Sequence, residues 1–277
     1  MNFIDAHSHI WTPTLDHFPL AKGFQKEDMQ PPSFTAEELL AEMKAVGVNR
    51  CVLIQMSFYG FDNSYMLDAM KRSLGTFSGV AVIDSEAAHP DEEMRRLKQL
   101  GVRGFRIRPQ TKEVNQWLNS DGLRLMFKTG AVERLKMCCL INPDALPALD
   151  KMCEQFPDTP VVIDHLCRIG VTGLIEQADV KALCAMAKHK QLTVKVSAFY
   201  ALGKKFPPYH DLRPLIKQVY DAFGPQRLMW ASDSPFQVVG GHTYKASIDL
   251  IKDGLDFLTN DDKAWLLTKT AESVFFQ

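Results

Sequence analysis

The stretch that decides the fold is FIDAHSHIWTP, residues 3–13. Its first half is typical of an extended strand, in which His7 and His9 point to one face and Ile4 and Ala6 to the other. Its second half, IWTP, stands where an open doubly wound sheet that binds a dinucleotide needs a glycine-rich loop. The stretch therefore disfavours such a sheet and directs two imidazoles toward one point in space.

Outward from this strand, short apolar segments alternate with helical patterns along the chain. The first helix is predicted over residues 36–46, between an N-cap at Thr35 and a closing Gly47. Seven further strands are predicted at residues 51–55, 77–84, 102–108, 136–142, 159–166, 191–198 and 227–233. Further helices are predicted at residues 64–74, 90–100, 123–135, 146–156, 180–189, 213–223, 246–258 and 261–274. Eight strand-helix units in about 250 residues predict an α/β fold of the closed (β/α)8 TIM-barrel type.

Composition bounds the domain number and the kind of partner. The 277 residues are 46% hydrophobic and carry a formal net charge of -1 with both signs dispersed. We expect a single domain over residues 1–277 with a small-molecule partner, rather than nucleic acid or a membrane, and a homo-oligomer stays open. The chain shows no secretory signal and no apolar run that could span a bilayer. Its six cysteines form no C-x-x-C pair, so a reduced, cytoplasmic protein is expected.

Reactive groups of a (β/α)8 barrel lie at the C-terminal ends of its strands, and here those ends are polar. Below them, apolar residues are expected to fill the barrel interior: Val161, Ile163, Val194, Val196, Leu228 and Met229. The upper ends carry Gln55 with Ser57 and Tyr59 beyond it, Asp84, Arg106 and Arg108, Asn142, Asp164 and His165, Ser197 with Tyr200 beyond it, and Asp233.

One divalent ion could be held at these ends. His7, His9 and His165 would supply nitrogen and Asp233 oxygen, a mixture that suits zinc. Water bound to such an ion becomes a usable nucleophile near neutral pH, and Asp233 could accept its proton. The alternative is that His165 is a hydrogen-bonded core histidine and Asp233 a turn cap.

Basic and loop residues add candidates for substrate contacts. Arg106 and Arg108 share a parity, so both could hold a carboxylate or sulfonate or polarise a carbonyl; the alternative is a solvated pair. Lys195 lies deeper, either as a salt-bridged support or as a Schiff-base lysine. The proline-containing segment 11–33 is long enough to cover a site. Other candidate contacts, each with a plain surface role as its alternative, are Gln55, Ser57, Tyr59, Asn142, Arg168, Tyr200 and His242.

Five motifs together resemble the amidohydrolase superfamily: IDAHSH at residues 4–9, GVRGFR at 101–106, PVVIDH at 160–165, VKVS at 194–197 and RLMWASD at 227–233. More narrowly, they are similar to its amidohydrolase-related branch, which includes sugar lactonases and 2-pyrone-4,6-dicarboxylate lactonase. The resemblance implies a (β/α)8 hydrolase that opens a lactone or ester, with His7, His9, His165 and Asp233 at the metal-site positions. Members of the branch differ in whether they need the metal.

Two departures from the superfamily pattern qualify this expectation. The strand at residues 136–142 lacks the histidine or carboxylated lysine of two-metal members, which disfavours a second ion. Ser234-Pro235 replaces the Trp-Pro expected in this branch, so substrate contacts near Asp233 differ. Two other functions stay open: a decarboxylase of the same superfamily acting on an aromatic or unsaturated acid, and a non-catalytic ligand-binding barrel.

Overall fold

A computed structural model describes residues 2–108 and 114–277. Its eight strands form one sheet in chain order, and each neighbouring pair is parallel. The strands are β1 (Phe3–Ser8), β2 (Val48–Ile54), β3 (Phe77–Ala81), β4 (Val102–Ile107), β5 (Lys136–Cys139), β6 (Val161–Ile163), β7 (Leu192–Val196) and β8 (Leu228–Trp230). A parallel bridge between Ser8 and Ser234 brings β1 beside the end of β8. The predicted (β/α)8 barrel is confirmed.

Helices lie between successive strands and follow the last one. In the described part of the chain they are α1 (Ala36–Val46), α2 (Ser64–Arg72), α3 (Pro90–Gln99), α4 (Asp121–Glu133), α5 (Leu146–Gln155), α6 (Gln177–Ala185), α7 (Arg213–Phe223), α8 (Tyr244–Asp249), α9 (Asn260–Ala264) and α10 (Thr270–Phe275). π-helical turns at Leu250–Gly254 and Trp265–Lys269 extend α8 and join α9 to α10. None of the described helices has the length and apolar character needed to cross a bilayer.

Two apolar layers lie on the two sides of the strands. The expectation that Val161, Ile163, Val194, Val196 and Leu228 fill the interior is wrong, since they pack in the larger cluster with the helices. Met229, by contrast, lies inside as expected. The inner cluster consists of the alternate strand residues together with two side chains of α10. Its members are Ile4, Ala6, Val52, Ile54, Val80, Cys138, Val162, Met229, Ala231, Ala271 and Phe275.

A register shift in β1 changes which residues face inward. The pairing of β1 with β2 is irregular between Asp5 and Ser8. A bulge of this kind places residues of opposite parity on one face. The sequence reading that set Ile4 and Ala6 opposite the histidines is therefore wrong, because Ile4 and Ala6 belong to the inner cluster and His7 also turns inward.

Asp5 stabilises the seam where β1 meets β8. Its fully buried carboxylate accepts hydrogen bonds from the backbone N–H of His7 at 3.0 Å and of Ser232 at 2.9 Å. The hydroxyls of Ser232 and of Tyr244, the latter at 2.6 Å, donate to its other oxygen. Asp5 therefore connects β1, β8 and α8 just below His7 and Asp233.

Candidate active site

A cavity of about 1800 Å³ opens at the C-terminal ends of the strands. His9, His165 and Asp233 line it, whereas His7 is fully buried and outside the lining. Lys22 and Phe24 also line it, which agrees with the expectation that segment 11–33 covers a site. The sequence-predicted histidines and Asp233, which together span more than 200 positions of the chain, thus meet at one place.

Three ligand atoms form a nearly equilateral triangle. Nε2 of His7 is 3.3 Å from Nε2 of His9 and 3.3 Å from Oδ1 of Asp233. Nε2 of His9 is 3.4 Å from the same oxygen. Zinc bonds to nitrogen and oxygen of about 2.0–2.2 Å place tetrahedral ligand atoms about 3.3–3.5 Å apart. The spacing of these three donors fits a single divalent ion.

His165 stands beside this triangle rather than in it. Its Nε2 lies 3.8 Å from Oδ2 of Asp233, the oxygen that faces away from the triangle. Its Nδ1 is 2.8 Å from the hydroxyl oxygen of Ser197. His165 also lies within ligand distance of His7 and Asp164, in a second possible group of three. The four predicted ligands therefore converge, but only three share one centre at equal distances.

Asp233 is held as a carboxylate by its neighbours. Burial opposes its ionisation, but the imidazoles of His165, His9 and His7 hold the pKa of this carboxyl below its ordinary value. The hydroxyl of Tyr200 donates to its Oδ2 at 2.7 Å. Burial and the adjacent carboxylate raise the pKa of Tyr200, so the phenol stays protonated and acts as a donor. Asp233 is therefore negatively charged and oriented toward the cavity.

A buried ion pair lies behind His7. Nζ of Lys195 is 3.0 Å from Oδ1 of Asp164, and both side chains are fully buried. Burial opposes the charge on Asp164, but Lys195 and then His7 hold the pKa of its carboxyl well below the ordinary range. Burial and the Lys195 charge hold the pKa of His7 well below its ordinary value, so His7 is neutral. Of the two sequence readings of Lys195, the contacts match the salt-bridged support.

Three guanidinium groups gather at one side of the cavity. Arg106, Arg108 and Arg168 all line it. Burial lowers the pKa of Arg108, and the charges of Arg106 and Arg168 lower it further. Arg106 is 3.8 Å from Asp164, and among the described residues its buried Nε has no hydrogen-bond partner. The cluster is suited to bind an anion.

The other predicted contacts divide into those that reach the cavity and those that do not. Gln55, Ser57 and Tyr200 line it, and Gln55 also donates to the carbonyl of Asp62. Tyr59 is buried outside the lining and accepts from the backbone N–H of Thr12 at 3.0 Å.

Asn142 and His242 also stand apart from the main cavity. Asn142 lines a neighbouring pocket of about 360 Å³, which shares Arg168 with the main cavity. His242 does not line the cavity; the hydroxyl of Tyr209 lies 2.8 Å from its Nδ1. Neither residue therefore faces Asp233 across the main cavity.

The chain leaves the extended conformation where it presents its site residues. His165 has a φ of 55° and Asp233 a φ of 66°, both in the left-handed region that non-glycine residues seldom occupy. Strand β6 consequently ends at Ile163 and β8 at Trp230, before the predicted ends. Such strain concentrates at functional sites, where the surrounding contacts maintain it.

Two residues that sequence reasoning left without a role are part of the site. Asp164 lies between Lys195, His7 and Arg106. Ser197 hydrogen-bonds His165. Their signal in the sequence was position alone, because both stand at predicted strand ends beside or opposite the histidines.

The chain is similar to known proteins along most of its length. The family model described as Amidohydrolase matches residues 4–277. A 4-sulfomuconolactone hydrolase of Rhizobium radiobacter is 30% identical over 234 residues, 83% of this chain and 75% of the relative. A 2-pyrone-4,6-dicarboxylate hydrolase of Comamonas testosteroni is 30% identical over 250 residues, 86% of this chain and 78% of the relative.

Solved structures give the same fold. An amidohydrolase from Burkholderia multivorans with bound zinc superposes with a TM-score of 0.84 at 17% identity, over 100% of this chain and 99% of the other. The predictions of the superfamily and of an enzyme similar to lactone hydrolases are confirmed. A match that spans almost every residue, with relatives at 30% identity, means that this chain belongs to the amidohydrolase family.

Proposed function

We propose that this protein hydrolyses a small lactone that carries an anionic group. The observation that carries the proposal is the position of Asp233, a buried carboxylate among three imidazoles in a cavity that three guanidiniums also line. The relatives support it, since their names describe hydrolases of a sulfonated lactone and of a dicarboxylated pyrone. Both of these substrates pair an ester-type carbonyl with an acidic group.

In the proposed reaction, Asp233 accepts a proton from water as the water oxygen bonds to the lactone carbonyl carbon. The imidazole of His165 faces the developing negative charge on the carbonyl oxygen. Cleavage of the ring carbon–oxygen bond then releases an alkoxide or enolate, which takes the proton back from Asp233. One water is consumed, and the product is an open-chain hydroxy or keto acid.

One divalent ion fits the same residues. Nε2 of His7, Nε2 of His9 and Oδ1 of Asp233 would hold it, with zinc the ion that this mixture of donors suits best. Such an ion supplies Lewis acidity to a carbonyl and lowers the pKa of a water molecule. His165, beside the other oxygen of Asp233, would contact the substrate in that case.

We assign the anionic end of the substrate to the guanidinium cluster. Arg106, Arg108 and Arg168 offer paired N–H donors that match the two oxygens of a carboxylate or sulfonate. An anion bound there keeps the lactone ring in the cavity that Asp233 also lines. Gln55, Ser57 and Tyr200 on the same lining are the proposed neutral contacts.

The function is tested with purified protein and a panel of lactones. The panel contains 4-sulfomuconolactone, 2-pyrone-4,6-dicarboxylate, L-fucono-1,5-lactone and the uncharged δ-valerolactone, with acid release followed by a pH indicator. We expect turnover of an anionic lactone and loss of more than 1000-fold on Asp233→Asn. The exposed Asp158 gives the matched control, Asp158→Asn. Full activity in Asp233→Asn refutes the mechanism.

The same assay separates the other functions. Release of carbon dioxide from aromatic or unsaturated acids, without acid release from lactones, identifies a decarboxylase. Tight binding of these ligands with no turnover identifies a binding barrel. We further propose a single domain over residues 1–277, supported by the family match over residues 4–277, and a cytoplasmic location, supported by six free cysteines, five of them buried.

A further inference from the structure

Lys195 makes a contact that the proposed reaction does not use. Its fully buried Nζ lies 3.1 Å from Nδ1 of His7, besides the 3.0 Å contact with Asp164. His7 contributes Nε2 to the triangle of ligand atoms, and its other ring nitrogen, Nδ1, faces away from the triangle. Lys195 therefore acts on the triangle through His7 rather than by touching it.

The hydrogen positions around His7 follow from what each neighbour can donate. An ammonium group only donates, so Nδ1 of His7 accepts from Lys195 and carries no proton itself, which leaves Nε2 as the nitrogen that carries the ring proton. Nε2 of His7 lies 3.3 Å from Oδ1 of Asp233 and 3.3 Å from Nε2 of His9, so its proton faces these two atoms. Both are acceptors, because Nδ1 of His9 donates its own proton to the carbonyl of Ile54 at 2.9 Å.

A divalent ion requires the opposite arrangement at His7. To bind an ion, Nε2 must be free of its proton, which then moves to Nδ1. There the proton has Oδ1 of Asp164 as an acceptor at 3.5 Å, the carboxylate–histidine pairing common behind metal ligands. It also points toward the Lys195 ammonium, 3.1 Å away, where donor meets donor. His9, in contrast, already has the form that binds metal.

We propose that Lys195 is a positioning residue that holds His7 in the form protonated on Nε2, and that it thereby weakens binding of a divalent cation to His7, His9 and Asp233. Asp164 stabilises both forms of His7: it fixes the ammonium in one and accepts the Nδ1 proton in the other. The proposal rests on the proposed function in one respect only, namely that these three residues form a cation site. It assigns to one lysine a control over how strongly the site binds metal.

Nitrogen NMR of the wild-type protein tests the hydrogen positions directly, and variants serve only to assign the signals. Protein labelled with ¹⁵N-histidine is freed of metal by chelation, and His7→Gln and His9→Gln assign the two rings. We expect the shifts of a protonated Nε2 for His7 and of a protonated Nδ1 for His9. A His7 ring protonated on Nδ1 in the metal-free protein overturns the proposal.

Zinc affinity tests the consequence. Competition with a chromophoric chelator is measured for wild type, Lys195→Met and the double variant Asp164→Asn/Lys195→Met, which removes both charges of the ion pair together. We expect both variants to bind zinc at least tenfold more tightly than wild type. The exposed Lys128 supplies the control, Lys128→Met, with unchanged affinity.

Zinc binding that is unchanged or weaker in the folded variants overturns the proposal. Circular dichroism identifies which variants fold. If Lys195→Met does not fold, the zinc affinity of the double variant decides the proposal. If neither variant folds, the nitrogen shifts of the wild-type histidines decide it. None of these measurements uses a lactone. An inactive lactone panel therefore counts against the proposed reaction alone, and unaltered zinc affinity counts against the role of Lys195 alone.

Discussion

The hydroxyl of Tyr200 donates a 2.7 Å hydrogen bond to Oδ2 of Asp233, while Oδ1 of the same carboxylate faces His7 and His9. One oxygen of the proposed base is thus part of the triangle of ligand atoms, and the other accepts a hydrogen bond from a phenol on the loop after β7. Tyr200 also lines the cavity, so it reaches both the substrate space and the base. Its contribution can be separated from that of the imidazoles.

Tyr200→Phe removes this hydrogen bond and leaves the ring in place. A hydrogen bond to a charged group contributes about 1.5–3 kcal/mol, so we expect kcat to fall about 10- to 100-fold through loss of carboxylate orientation. Steady-state kinetics on the best lactone measure the effect. Tyr220→Phe on the outer helix α7 is the control, and an unchanged kcat in Tyr200→Phe removes Tyr200 from the proposed mechanism.

Arg108→Gln tests the anion-binding cluster. Loss of a paired contact to a carboxylate or sulfonate raises KM for an anionic lactone, about tenfold or more, and leaves KM for δ-valerolactone within twofold. The kinetics of both substrates are compared with those of Arg124→Gln, which changes an exposed arginine on α4. Equal losses on the charged and uncharged substrates contradict the assignment.

Asp5→Asn tests the seam between β1 and β8. The amide nitrogen cannot accept from the hydroxyls and N–H groups that surround this carboxylate, so donor faces donor in a buried site. We expect the free energy of unfolding to fall by about 3 kcal/mol, measured by urea denaturation. The surface variant Asp158→Asn is expected to change it by less than about 0.5 kcal/mol. An equally small change in Asp5→Asn shows that the seam does not depend on this carboxylate.

Lys136 at the start of β5 makes stability depend on pH. Burial lowers the pKa of this lysine to about 8, against 10.5 for the ordinary side chain. Between these values the unfolded chain binds more protons than the folded chain, so stability rises with pH over this interval. Below pH 8 the charged Lys136 lowers the free energy of unfolding by its full amount, and this loss disappears as the pH approaches 10.5.

Lys136→Met is therefore expected to raise the free energy of unfolding at pH 7 by about 1–3 kcal/mol and to flatten its rise between pH 8 and 10. Urea titrations at pH 7 and pH 9.5 measure both effects. The exposed Lys128→Met keeps the slope of the wild type. A Lys136→Met protein with the wild-type slope shows that another group causes the pH dependence.

Local features of the sequence predict the layout of the barrel well. Helix α1 begins and ends where predicted, because Thr35 and Glu38 cap one end and Gly47, at a φ of 81°, closes the other. These signals act within a few residues and do not depend on the rest of the fold. The alternation of helices and strands likewise requires only local periodicity.

The side of a strand to which an individual side chain points could not be predicted in the same way. Strict alternation along β1 fails at the irregular pairing between Asp5 and Ser8, which depends on contacts with β8 and α8. The turns of His165 and Asp233 into the left-handed region arise from tertiary contacts as well. The sequence therefore predicted which types of residue form the site. It did not predict the triangle of ligand atoms or the position of Asp164, because both depend on tertiary contacts.

The aromatic ring of Phe275, contributed by α10, lies 5.4 Å from Nζ of Lys195 and completes the inner cluster from below. The helix that carries it begins more than 260 residues after His7 of β1. We expect Phe275→Ala to open space beside the ammonium from the underside and so to alter, through Lys195 and His7, the chemistry of the opposite, open end of the barrel without touching any residue there.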